Sequence, residues 1–280
     1  MKFYNTQTKP WRKFLILIAI YLSFFIVSSI IGAVYLLLDG NKLMFQNIVS
    51  VLMFGATAAV YYLLFESKGA ICRTFTQNVN IKWLVAALVL WVAALPLLNT
   101  FSVETGYNEQ ILMLVTDTSV WGLVNLILSM GLLTAIVEEW TFRGVLQRLC
   151  IQWTKRVWAG IIIASAVFSA IHFDMPNFFV RFLMGIILGL LYQYSGSIWT
   201  NIVFHFINNA LAAVGLWIYV KTGEDPTADF VFPVYTVVLS VVAVIGFVVY
   251  GEMKSQRSVK SNYIEQEYTQ TEEIISENQD

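Results

Sequence analysis

A chain of 280 residues that is 58% hydrophobic and 12% charged carries far more apolar side chains than a soluble domain, where roughly a quarter of the residues are charged. Its 17 basic and 18 acidic residues leave a formal charge of −1, and the basic ones form short scattered clusters rather than one patch, so no nucleic-acid partner is expected. One soluble core is excluded as the place for this much apolar surface, and the lipid bilayer is the solvent the composition predicts.

Lys2, Lys9, Arg12 and Lys13 precede a first apolar run, 14–38. That run is too long for the core of a secretory signal, about 7 to 15 residues, so it is read as a retained span. Seven further runs follow at 43–65, 83–101, 120–140, 157–173, 178–194, 198–220 and 230–250, each near the roughly 20 residues a crossing helix needs. Their connectors hold turn signals such as Asp39-Gly40-Asn41, Asp174-Met175-Pro176-Asn177 and Ser195-Gly196-Ser197. The fold class predicted is an all-α membrane protein, a bundle of about eight transmembrane helices around an intramembrane polar cavity expected to open towards the cytoplasm.

With the N-terminus inside, every basic residue of the 17 except Lys42, Lys221 and Arg181 falls on the inner side. Glu104, Glu109, Asp117, Glu224, Asp225 and Asp229 fall outside. Both termini are therefore expected in the cytoplasm, and Cys72 and Cys150 with them, as reduced thiols. The chain divides into N-terminal helices (1–119), a polar-residue-bearing core (120–220), a last helix (221–250) and a flexible acidic tail (251–280) too polar to offset the entropy of ordering.

Ionisable groups are expensive inside hydrocarbon, and nearly all of them lie between positions 138 and 209. Glu138-Glu139-Trp140-Thr141-Phe142-Arg143 comes first, then Phe168-Ser169-Ala170-Ile171-His172, then His205-Phe206-Ile207-Asn208-Asn209; His172 and His205 are the chain's two histidines. Glu139 and Arg143, four apart on a helix, can pair. Glu138 is rotated away from them and is free to act as a general base on water. His205 and Asn209, also four apart, can present an imidazole and an amide to one oxyanion. Taken singly, each has a plainer explanation: acids snorkelling at a helix end, a packed histidine, and asparagines joining helices by hydrogen bonds.

Three elements in this order within consecutive apolar spans resemble the CPBP family of intramembrane proteases, which includes CaaX prenyl endopeptidases and bacteriocin-processing or self-immunity proteins. The resemblance covers roughly 120–220. It implies an intramembrane endopeptidase, glutamate- or metal-dependent, acting on a membrane-associated peptide or protein. Glu138 and His172 would activate the water, His205 and Asn209 would bind the oxyanion, and Glu139 with Arg143 would support them.

Two histidines and a carboxylate also form a hydrolytic zinc ligand set, so Glu138, His172 and His205 are the candidates should zinc be bound; the short HExxH motif is absent, and metal-free chemistry stays open beside it. A bacterial inner membrane is the expected location. The alternative is a non-catalytic regulator or immunity protein that binds another membrane protein or peptide. A solute carrier is disfavoured because no internal repeat is visible.

The shared site also sets a geometric condition: Glu138 reaches the depth of His172 only if the fourth helix continues past Arg143 towards Leu149. Arg181 is expected to pair with an acid or face a cavity. Gly185 and Gly189, four apart, are expected to allow close helix packing.

Overall fold

The computed structural model describes residues 8–37, 41–66, 70–76, 79–103, 107, 109–226 and 231–277, the side chains of 36, 70, 72, 73, 110 and 256–277 excepted. Cys72, expected as a reduced thiol, thus lies outside the described side chains; Cys150 is free and buried.

Eight long helices carry the chain: α1 Pro10–Leu37, α2 Lys42–Phe65, α3 Ile81–Phe101, α4 Val120–Thr154, α5 Val157–Ala170, α6 Phe178–Ser195, α7 Ile198–Thr222 and α8 Val234–Glu277. No strand occurs among the described residues. Seven of the eight are long and apolar enough to cross a membrane, which makes this an integral membrane protein. Broad apolar surface remains exposed on α1 and α8, including Ile26, Ile30, Val242 and Ile245, as expected of helices facing lipid.

Local sequence sets most of the ends. The side chains of Asn41, Asn80 and Ser119 accept hydrogen bonds from the backbone N–H groups of Met44, Lys82 and Gly122, capping α2, α3 and α4. Gly196 (φ 66°) and Gly223 (φ 79°) close α6 and α7 in the left-handed conformation that glycine adopts without a Cβ penalty.

Two helices depart from the sequence reading. The fourth, drawn to 140, runs on to Thr154 as the shared-site condition required, and 35 residues give it a length of about 52 Å. Within it, residues 127–133 and 140–147 widen to π-helical hydrogen bonding on either side of the paired glutamates. The fifth, drawn to 173, stops at Ala170 after 14 residues, about 21 Å. Its continuation is broken by Phe173 in the left-handed region (φ 52°) and by Pro176, which has no N–H to donate. The eighth keeps its helical backbone beyond the polar boundary at Gly251, where Glu, Gln, Lys and Ser replace the apolar run.

Packing gathers into two large clusters. Leu17, Phe54, Tyr61, Tyr62, Phe142 and Phe168 join α1, α2, α4 and α5. Trp83, Leu90, Leu98, Leu188, Leu191 and Phe204 join α3, α6 and α7. The polar residues of α4 and α7 lie where these two halves meet.

Candidate active site

Near the middle of α4 three ionisable side chains are removed from solvent: Glu138 is 4%, Glu139 0% and Arg143 2% exposed. Arg143 Nη1 lies 2.8 Å from Glu139 Oε1, an ion pair across one turn. Its Nη2 donates to the carbonyl oxygen of Gly185 on α6 at 3.1 Å, and its guanidinium carbon stands 5.0 Å from the centre of the Phe168 ring. So many partners answer the cost of burying a guanidinium, which is severe when the ion is left alone.

From α7, His205 Nδ1 donates to the same Glu139 Oε1 at 2.8 Å. A carboxylate can only accept here, so Nδ1 carries a proton and the ring is held with Nε2 facing away from Glu139. Nε2 lies 3.7 Å from Glu138 Oε2. Asn201, one turn before His205, donates to Glu139 Oε2 at 3.2 Å and to the Leu188 carbonyl at 2.6 Å. Glu139 is therefore saturated by a guanidinium, an imidazole and an amide, whereas buried Oε2 of Glu138 has no hydrogen-bond partner among the described residues.

His172 reaches this centre by another route. It sits just beyond the end of α5, exposed, with Nδ1 donating to the Phe168 carbonyl at 2.8 Å. The Phe168 ring stands edge-on to both imidazoles, 5.1 Å from His172 and 6.0 Å from His205. The two histidines therefore flank one buried phenylalanine, and His172 makes no hydrogen bond to Glu138. Asn209, one turn beyond His205, is half-buried and donates to the Met130 carbonyl at 3.3 Å, and Asn208 donates to Asn209 Oδ1 at 3.5 Å.

Asn201 was missed in the sequence. Its signal was there, four residues before His205 on the same face of α7 and thus the mirror of Asn209. Gln147, four beyond Arg143, is a second omission: its amide donates to the Gly189 carbonyl at 3.0 Å and repeats, one turn along, the contact Arg143 makes with Gly185. A third is Tyr21 of α1, whose buried hydroxyl has no hydrogen-bond partner among the described residues.

A cavity of about 490 Å³ lies between α3, α6 and α7. Asn99 and Ser102 from the end of α3, Asn177 and Arg181 from the start of α6, and Asn208 from α7 supply its polar wall. These positions lie at the ends of α3 and α6 away from Lys82, Lys155 and Arg156. The cavity therefore lies on the side of the bundle opposite these basic residues, away from the side expected to face the cytoplasm.

Of the zinc candidates, Glu138 and His205 approach each other, while His172 bonds to a backbone carbonyl. No group of three His, Cys, Asp or Glu side chains able to hold a metal ion occurs among the described residues. The side chains as arranged do not fit the three-ligand zinc set.

Fold and site together define a helical integral membrane protein with a buried carboxylate–imidazole–guanidinium cluster. Residues 119–211 match the family described as type II CAAX prenyl endopeptidase, Rce1-like, so the resemblance to the CPBP proteases stands for the segment that holds the whole cluster. Over 91 residues the chain is 35% identical to the uncharacterized protein YpbD of Bacillus subtilis (strain 168); the match covers 31% of this chain and 43% of YpbD, so the chain spans less than half of that relative. No solved structure matches it.

Proposed function

We propose that the protein is an intramembrane endopeptidase in which Glu138 activates water for attack on a peptide carbonyl. One observation carries the reading: Glu138 Oε2 is buried, has no hydrogen-bond partner among the described residues, and stands 3.7 Å from His205 Nε2. Buried acceptors are nearly always satisfied within a protein. One left over beside a saturated network marks a group held ready for something arriving from outside the chain.

In the proposed reaction Glu138 takes a proton from water, and the water oxygen bonds to the carbonyl carbon. The carbonyl electron pair moves to oxygen, forming an oxyanion. His205 donates to it from Nε2 while its Nδ1 proton stays on the ring, hydrogen-bonded to Glu139; the Asn209 amide donates from one turn further along. As the C–N bond breaks, Glu138 returns its proton to the leaving amine. His172 assists at the edge of the site, beyond Phe168. Glu139, Arg143 and Asn201 position the imidazole and do not touch the reacting atoms.

The match of residues 119–211 to an endopeptidase family supports this assignment. The substrate is a membrane-associated peptide or protein, and the protein works in a bacterial cell membrane with both termini in the cytoplasm, the side to which the basic loops point.

The test is cleavage of a candidate membrane peptide by purified full-length protein and its Glu138→Gln variant in lipid nanodiscs. Removing the base should lower turnover by roughly 10²- to 10⁴-fold with the melting temperature retained. Undiminished turnover refutes the assignment.

A further inference from the structure

We infer that the cavity between α3, α6 and α7 binds a peptide segment bearing a carboxylate, with Arg181 as the receptor and Asp174 as the built-in occupant that the ligand displaces. The inference rests on the endopeptidase reading only for the step from bound to cleaved peptide.

At about 490 Å³ the cavity is of ligand-binding size. Its wall combines the amides of Asn99, Asn177 and Asn208 with the guanidinium of Arg181, over an apolar floor that includes Leu98 and Met184. Amides match the donors and acceptors of a peptide backbone, apolar side chains match those of a membrane segment, and a planar guanidinium matches a carboxylate. A lipid tail would need none of the polar groups.

Arg181 already holds a carboxylate. Nη1 lies 2.7 Å from Asp174 Oδ2, with both side chains about 30% exposed, at 29% and 30%. The partner is not a core acid on a neighbouring helix. It comes from the 171–177 connector, where Asn177 steadies it through its amide at 3.1 Å. A connector carboxylate seated on a cavity-lining guanidinium reproduces within the chain the contact that a ligand carboxylate would make. Exchanging one for the other costs little, because charge pairs of this exposure are worth little each.

Two of the lining residues neighbour the proposed chemistry along their helices. Asn208 is three residues beyond His205 on α7, so both share a face. Met184 immediately precedes Gly185, whose carbonyl holds Arg143. A peptide anchored at Arg181 therefore extends past Asn208 towards Glu138.

The test uses full-length protein in nanodiscs with Glu138→Gln to suppress turnover. The probe is a dye-labelled apolar hexapeptide prepared as the free acid, as the C-terminal amide, and as that amide with one internal glutamate. A carboxylate form should bind a few-fold tighter than the plain amide, because the roughly tenfold yield of one charged hydrogen-bonded pair is partly offset by the lost Asp174 contact; which form gains identifies a terminal or a side-chain carboxylate as the source.

Arg181→Gln should bring all three forms to equal affinity, and Arg181→Lys should keep part of the preference. Asp174→Asn should tighten the carboxylate form and leave the plain amide unchanged. Equal affinities in the parent protein, or a preference that survives Arg181→Gln, overturn the inference. Should Arg181→Gln fail to fold, the absence of any gain from Asp174→Asn overturns it. Cleavage by the native protein without carboxylate preference removes this inference alone, whereas preference without cleavage removes the endopeptidase reading alone.

Discussion

Glu139 Oε1 accepts from both the Arg143 guanidinium and the His205 imidazole at 2.8 Å each, while an oxygen of its neighbour Glu138, without a hydrogen-bond partner among the described residues, faces the far side of the same ring. Two carboxylates adjacent in sequence thus have opposite surroundings. One is consumed in holding the fold, and the other is the base of the proposed reaction.

Stability should separate them. Glu139→Gln leaves the Arg143 guanidinium buried without its anion, a change expected to cost about 3 to 5 kcal/mol, whereas Glu138→Gln removes no hydrogen bond and should stay within about 1 kcal/mol of the native protein. Unfolding of the purified variants in denaturing detergent measures both. Equal losses would contradict the division of roles.

Asn201→Ala should cost about 1 to 3 kcal/mol, because the Leu188 carbonyl and Glu139 Oε2 each lose a buried donor. Cleavage should fall as well, since His205 is aimed through Glu139. A variant that is destabilised yet cleaves at the native rate at low temperature would show that aiming the imidazole does not depend on Asn201.

A Cβ at Gly185 would lie 2.9 Å from the Ser165 Cβ and 3.1 Å from its Cα, so α5 and α6 would have to separate. Gly185→Ala is expected to cost about 1 to 3 kcal/mol. At Gly189 the nearest atoms are the Ile161 Cγ2 methyl at 2.7 Å and Gln147 Oε1 at 3.0 Å; Ile161 is fully buried and stiff at χ1, so a comparable loss is expected. Thermal unfolding of the two alanine variants measures both losses, and Ser165→Gly should rescue Gly185→Ala in part.

Partial burial opposes the charged form of Asp174, but the Arg181 and Asn177 contacts outweigh it and hold this carboxyl below the usual carboxylate range. With the folded pKa below the unfolded value of about 3.9, the contribution is complete above that value and is lost as pH falls through the folded pKa. Native protein should therefore melt higher than Asp174→Asn at neutral pH, and the two should converge below about pH 4. Melting curves at stepped pH measure this; a gap that persists in acid would mean that Asp174 acts through packing rather than charge.

Much of this was legible in one dimension. Hydropathy alone determined that the protein lives in a membrane and where its helices begin, because a crossing helix must hide its backbone and clothe itself in apolar side chains. Spacing of four residues marked the Glu139–Arg143 pair and the close-packing glycines, because a helix repeats its faces on that period. What only the tertiary structure decided depends on how each helix is rotated about its axis. That rotation brought the carbonyls of Gly185 and Leu188 and the amide of Asn201 to the buried ions. It divided the adjacent glutamates between two environments, set His172 behind Phe168 rather than on Glu138, and turned the cavity away from the basic loops. Backbone carbonyls carry no sequence signal, and the interlocking of side chains between helices is a property of pairs of surfaces, which no reading along a single strand of residues contains.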